Sequence, residues 1–292
     1  MASNRTLTGF NIPASAISFF YTLVVFFGSI GNLLLILSVI RSTDLRSNPL
    51  HLFVAALLLN DFLTCSLLAS TALYLGVSLQ IAEEISCAFL GMTFTLVCTS
   101  SGNFILYAAL ERLLVIKSPP WYTKLFANGK TRAQITTTWM LQIVTHLFLY
   151  YTGIVGYTEL SHVAYCLIRI QLSRYALTVL SVLAYMGLLV AVIFAYAYVL
   201  RVPDSNQDFT SATKQQLVPA VLYFGTWTPV IFLLKTPWTH QVPPVLGFLC
   251  FASLFASATI KPYYYFWKNH TYRKQLRKLL KPKQLNTVVP YA

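Results

Sequence analysis

Residues 86–118 read SCAFLGMTFTLVCTSSGNFILYAALERLLVIKS. Cys87 stands at the start, and the acid–arginine pair Glu111 and Arg112 stands near the end. Between them, residues 88–110 carry no Asp, Glu, Lys or Arg. About 20 apolar residues rising ~1.5 Å each cross the hydrocarbon of a bilayer. The stretch therefore predicts one membrane-spanning helix with a thiol at one mouth and a charge pair at the other.

Six further apolar runs flank it, at about 17–40, 49–75, 133–156, 174–200, 212–234 and 242–267. The composition agrees: 57% of the 292 residues are hydrophobic and 10% are charged, whereas soluble domains carry about 25% charged residues. The chain thus reads as an all-α membrane protein, a bundle of seven spans over residues 17–267. From 268 to 281, apolar residues recur at Tyr272, Leu276, Leu279 and Leu280 among basic ones. That pattern predicts a short amphipathic helix on the membrane surface. Residues 1–16 form a polar N-terminal segment without the pattern of a cleavable signal peptide, and 282–292 read as a disordered tail.

The net charge is +13. Lys and Arg lie between the apolar runs, not in a folded basic domain with base-stacking aromatics, so nucleic acid is not an expected partner. The loops joining alternate spans, with the tail, hold fifteen Lys and Arg, and the opposite set holds four. The basic set faces the cytoplasm by the positive-inside rule, toward anionic lipid and an acidic partner surface. The expected location is the plasma membrane, multi-pass, with the N-terminus outside. Asn4 then heads an external N-glycosylation sequon, Asn4-Arg5-Thr6.

Five cysteines show no CxxC or Cys/His cluster, so neither a metal nor another cofactor is indicated. Cys87 and Cys166 both fall on the outer, thiol-oxidising side, where a bridge between them would pin the 157–173 loop over the bundle; two free thiols are the alternative. Cys65, Cys98 and Cys250 fall inside spans and read as packing residues. Asp61 is a carboxylate at membrane depth and Lys261 is the other deep charge. Rare intramembrane charges face the interior, and these two most economically pair, with water or a bound cation as the alternatives for Asp61. Arg112 reads either as an interface anchor or as a guanidinium held by Glu111 until something competes for it. Trp227, Pro229 and Pro262 mark helix bends, or merely the packing variety that membrane helices tolerate.

Together these residues resemble the rhodopsin-like (class A) G-protein-coupled receptors, one mark per span. Asn32, Asp61, Cys87 with Arg112, Trp139, Trp227-Thr228-Pro229, and Pro262 with Tyr265 match the family's marks in order. There are departures. Leu113 replaces the tyrosine of the acid–Arg–Tyr motif, Lys261 replaces the asparagine of Asn-Pro-x-x-Tyr, Thr226 stands in the cysteine's place, and span 5 lacks its mid-helix proline. The resemblance implies switch and G-protein-coupling roles for Asn32, Asp61, Glu111, Arg112, Trp227, Pro229, Lys261, Pro262 and Tyr265, with a heterotrimeric G protein as partner and no enzymatic activity. Lys261 would stand in for the sodium ion that the family holds near Asp61. It also implies a small-molecule pocket lined by Phe94, Thr95, Cys98, Trp227, Ile231, Leu234, Phe251 and Phe255, or those side chains simply fill the core. Phe94 stands where amine receptors carry an aspartate and Phe255 where opsins carry the retinal lysine, so a small hydrophobic ligand is expected. Residues 45–51 resemble the corresponding segment of chemosensory receptors, including odorant receptors, which makes olfaction an expected role. Vertebrate odorant receptors differ in having a longer second outer loop with extra cysteines and in lacking Trp-x-Pro. A peptide or lipid receptor of the same fold is the alternative. A transporter using Asp61 and Lys261 lacks the inverted repeats expected of that class, and no HExxH, GxSxG or pair of intramembrane aspartates points to an intramembrane enzyme.

Overall fold

A computed structural model describes residues 14–78, 84–127, 129–160, 165–170, 175–202, 207–235 and 243–280. The first helix, α1 (Ala14–Leu23), runs through a π-helical turn at Val24–Gly28 into α2 (Ser29–Arg41). A short α3 (Thr43–Ser47) follows, capped by the Ser42 hydroxyl, which accepts from the Leu45 amide. The next span, α4 (Pro49–Leu63), passes through a second π turn, Thr64–Leu68, into α5 (Ala69–Ser78). Its start is specified locally: Asn48 Oδ1 accepts from the Leu50 amide at 3.0 Å, and Pro49 needs no donor in the first turn. The two π turns pack against each other.

The stretch quoted at the outset is α6 (Glu84–Lys117), and it is the axis of the bundle. It packs on α4, on α7 (Pro119–Phe126), α8 (Lys130–Tyr151), α9 (Tyr175–Arg201) and α10 (Gln207–Lys235), and on both strands of a hairpin, β1 (Val155–Leu160) and β2 (Tyr165–Ile170). The bundle closes with α11 (Pro244–Lys268) and the short α12 (His270–Leu280). Five helical segments among the described residues are long and apolar enough to cross a membrane: Ser15–Arg41, Pro49–Leu73, Ser86–Lys117, Val179–Arg201 and Val245–Lys268. The other two expected spans correspond to α8 and α10, which carry more polar residues. Large apolar side chains such as Phe19, Leu141 and Phe194 face outward, as hydrocarbon-facing residues must in a chain that buries its polar groups inside.

Several expected boundaries shift for visible reasons. The span expected at 133–156 starts at Lys130 and stops at Tyr151. Gly153 adopts φ +65, its amide donates to Tyr150 O at 2.9 Å, and the Ile154 amide donates to Leu149 O at 3.0 Å. This Schellman closure ends the helix and frees residues 155–160 to form β1. The antiparallel register pairs Val155 with Ile170 and Leu160 with Tyr165. The 117–132 loop contains α7, whose Phe126 is buried against Phe53 and Phe104. The surface helix expected at 268–281 is α12, starting two residues later, where Asn269 Oδ1 accepts from the Thr271 and Tyr272 amides. Its Tyr272 is fully buried against α2 and α11, while the basic face is exposed.

The hairpin rests directly on α6. A Cβ at Gly91 would lie 3.0 Å from Tyr157 Cγ and closer still to Cδ1, so only glycine admits the ring there. Burial, with Tyr150 alongside, pushes the Tyr157 phenol up to about 12.

Candidate functional site

Three features line up along α6: a cavity toward the hairpin end, a polar knot at mid-bundle and a charge pair at the basic end. The cavity encloses about 760 Å³ between α6, α8, α9 and α10. On α6 it is lined by Phe94, Thr95 and Cys98, and on α10 by Tyr223, Trp227 and Ile231. The aromatic wall is continuous: Phe94 and Trp227 ring centroids are 5.5 Å apart, and Tyr223 and Trp227 are 6.0 Å apart. The Tyr223 hydroxyl donates to Cys98 O at 2.8 Å and fastens α10 to α6 below the cavity.

Five of the eight side chains expected in a pocket therefore line one cavity. Phe251 and Phe255 do not. They are buried in the core behind it, Phe251 at 6.0 Å from Phe94 and Phe255 edge-on to Tyr21 at 5.4 Å. The Leu234 side chain lies outside the described residues. The fourth wall comes from α8, which composition alone did not mark. Gln142 and His146 stand one helical turn apart on it and face the cavity with Asn103 of α6. The Thr99 hydroxyl bonds the Gln142 amide at 3.0 Å, and His146 Nδ1 pairs with Gln142 O at 2.7 Å. Polar side chains four apart inside a span were the readable signal. No Asp, Glu, Lys or Arg lines the cavity among the described residues.

At mid-bundle, the Lys261 ammonium donates to Asp61 Oδ1 at 2.7 Å, and both side chains are almost sealed. The other Asp61 oxygen has no hydrogen-bond partner among the described residues. Asn60 Nδ2 reaches the hydroxyls of Ser100 and Ser101, each at 2.9 Å. Asn32 Nδ2 donates to Gly28 O and Ala258 O, joining the first span to α11. Pro262 is buried on α11, and Pro229 is exposed on α10. Cys65, Cys98 and Cys250 are free and buried. Cys87 is engaged, 4% exposed at the hairpin end of α6. Cys166 lies on β2, and its side chain, like all of Asn4, lies outside the described residues.

At the basic end, Arg112 meets its neighbour Glu111 as a fork: Nε to Oε2 at 2.5 Å and Nη2 to Oε1 at 2.7 Å. Both residues are buried. The Phe209 ring of α10 lies 4.8 Å from the guanidinium carbon, which ties the end of α10 to α6. Nearby, the Tyr265 hydroxyl donates to Gln216 Oε1 at 2.8 Å, and His51 Nδ1 pairs with the Tyr272 hydroxyl at 2.8 Å. Burial, with Glu111 close by, raises the Tyr122 phenol on α7.

Comparison with known proteins bears on this arrangement. Residues 31–265 match the family described as 7 transmembrane receptor (rhodopsin family). The chain is 24% identical to the human cannabinoid receptor 2 over 278 residues, covering 86% of this chain and 74% of that protein. It is 25% identical to the human C-C chemokine receptor type 4 over 283 residues, 89% of this chain and 76% of that one. It is 28% identical to G-protein coupled receptor 183-B of Danio rerio over 135 residues, 46% of this chain and 37% of that one.

Proposed function

Because the chain belongs to the rhodopsin family of seven-transmembrane receptors, we propose that it is a receptor whose ligand is small, neutral and largely hydrophobic, bound in the cavity beside Phe94 and Trp227, and that it signals through a heterotrimeric G protein. The family assigns the chain to the G-protein-coupled receptors and not to the enzymes. The observation that carries the ligand class is the absence of any charged side chain among the described lining residues. A charged ligand there would lose its hydration without an ionic partner. A neutral apolar one gains about 2.5 kcal/mol per 100 Å² of surface it removes from water.

An odorant is one member of that chemical class, but none of the three named relatives is an odorant receptor. The 45–51 segment also has a local account, in the Asn48 cap and the His51–Tyr272 pair. A cannabinoid-like lipophile fits the charge-free lining better than a chemokine, whose surface would need charged or polar partners.

In this reading the hairpin end and the N-terminus face outside, Asn4 is glycosylated, and Cys87 bridges to Cys166. The packing of β2 on α6 supports the bridge. Agonist binding favours the bundle in which the basic end of α10 leaves α6, so that Phe209 uncovers Arg112; the shift equals the ligand's difference in affinity for the two arrangements. Asn32, Asp61, Lys261, Pro229, Pro262 and Tyr265 form the connecting path. Thermal stabilisation of the receptor in bilayer discs by a mixed compound library tests the ligand class. Hits concentrated among neutral lipophiles are expected. Hits confined to amines or peptides contradict it.

A further inference from the structure

The cavity is not closed on all sides by protein. α8 packs on α4, α6 and α7, and α9 packs on α6 and α10, but α8 and α9 make at most marginal contact. The cavity fills the gap between them, taking His146 and Leu149 from α8 and Leu180, Ala184 and Gly187 from α9. Those three α9 residues are exposed, Leu180 to 61%, although they line the cavity. Beside them on α9, Leu183 and Val190 are apolar and exposed as well. The open side therefore faces hydrocarbon. Toward the hairpin, Ile154 and Val155 line the cavity and the hairpin packs on α6.

The polar groups inside indicate what enters. His146 is 5% exposed. Its Nδ1 donates to the Gln142 carbonyl, so in the neutral ring Nε2 is an acceptor, and it has no partner among the described residues. One half of the Gln142 amide is used by Thr99, and the other half is open. Polar atoms left without partners at bilayer depth are costly, and such positions mark binding paths.

We propose that the gap between α8 and α9 is a lateral entrance for a neutral, single-headed amphiphile dissolved in the bilayer. Its head hydrogen-bonds to His146 Nε2 and the Gln142 amide, and its tail lies against Phe94, Leu106, Leu188 and Trp227. The proposal deepens the ligand reading above and rests on the cavity being the ligand site.

The test uses the full chain in phosphatidylcholine vesicles with two probes, a long-chain alcohol carrying a diazirine in its tail and the alkane of equal length. After irradiation, the alcohol labels the α6 segment 94–106, and excess plain alcohol competes the label away. A Cβ at Gly187 meets nothing within 4 Å, so Gly187→Phe is accommodated and stands in the gap. It slows cavity labelling about tenfold, as an obstructed association step does, and Gly187→Leu slows it less. Gly225 on α10 is equally open and lies away from the cavity, so Gly225→Phe leaves the rate unchanged. His146→Phe removes the preference for alcohol over alkane, about fivefold for one hydrogen bond. Cavity labelling with a rate indifferent to Gly187→Phe overturns the lateral entrance while leaving the cavity reading in place. Absence of competed labelling at 94–106 in the unaltered receptor defeats both.

Discussion

The Lys261 ammonium sits 2.7 Å from Asp61 Oδ1, a single buried ion pair joining α11 to α4. Removing one partner of a buried pair leaves an uncompensated charge and costs about 3–5 kcal/mol. Lys261→Met is therefore expected to lower the thermal unfolding midpoint of the purified receptor sharply. The double variant Asp61→Asn with Lys261→Met should recover most of the loss. A single variant as stable as the parent would show that the pair contributes little to the bundle.

The same pair predicts indifference to sodium. The ammonium already pairs with Asp61 through Oδ1, and it repels any second cation brought up to the same carboxylate. Exchanging sodium chloride for choline chloride at constant ionic strength should leave ligand affinity unchanged. A sodium-specific effect that disappears in Asp61→Asn would contradict this.

Arg112 is held by two groups, the Glu111 fork and the Phe209 ring. A charge-assisted hydrogen bond contributes about 1.5–3 kcal/mol, so loosening it shifts the resting equilibrium. Glu111→Gln and Phe209→Ala should each raise ligand-independent nucleotide exchange several-fold, and Arg112→Ala should abolish coupling. Unchanged basal exchange in both of the first two variants would show that these contacts do not hold the resting state.

Gly91 admits the Tyr157 ring where a Cβ would overlap it. Gly91→Val should push the hairpin off α6 at a cost of about 1–3 kcal/mol, typical of overpacking. Faster hydrogen exchange of the 155–157 amides, with the rest of α6 unaffected, is the expected signature.

Much of this arrangement is legible from residue type alone. Asp61 and Lys261 are the deep charges of opposite sign in apolar runs, so the high cost of a lone charge in hydrocarbon favours their pairing. Arg112 stands at the end of its span, where residue type alone reads equally as an interface anchor, and the fork with Glu111 is read from the structure. The cavity was legible only in part. A resemblance assigns side chains to a helix face but not the space left beside them. Phe251 and Phe255 face inward as expected, yet Phe94 and Tyr21 fill the room around them. Gln142 and His146 announce themselves as polar residues within a span, but their role depends on α8 and α9 standing apart, which no local pattern encodes. The early stop of α8 is different: the φ of Gly153 encodes it locally, and the β-branched and aromatic residues that follow favour strands.

On the proposed function, a neutral ligand in this cavity drives coupling through Arg112. Guanine-nucleotide exchange on a panel of purified heterotrimeric G proteins, with the receptor in bilayer discs and a library of neutral lipophiles, tests it most directly. Leu188 lines the cavity, so Leu188→Trp fills it. The account predicts that at least one compound accelerates exchange on the parent receptor and that the response falls by about tenfold or more in Leu188→Trp, the cost of one displaced apolar contact surface, while basal exchange persists. Compounds acting equally on parent and filled receptor, or solute flux with no exchange on any G protein, would contradict it.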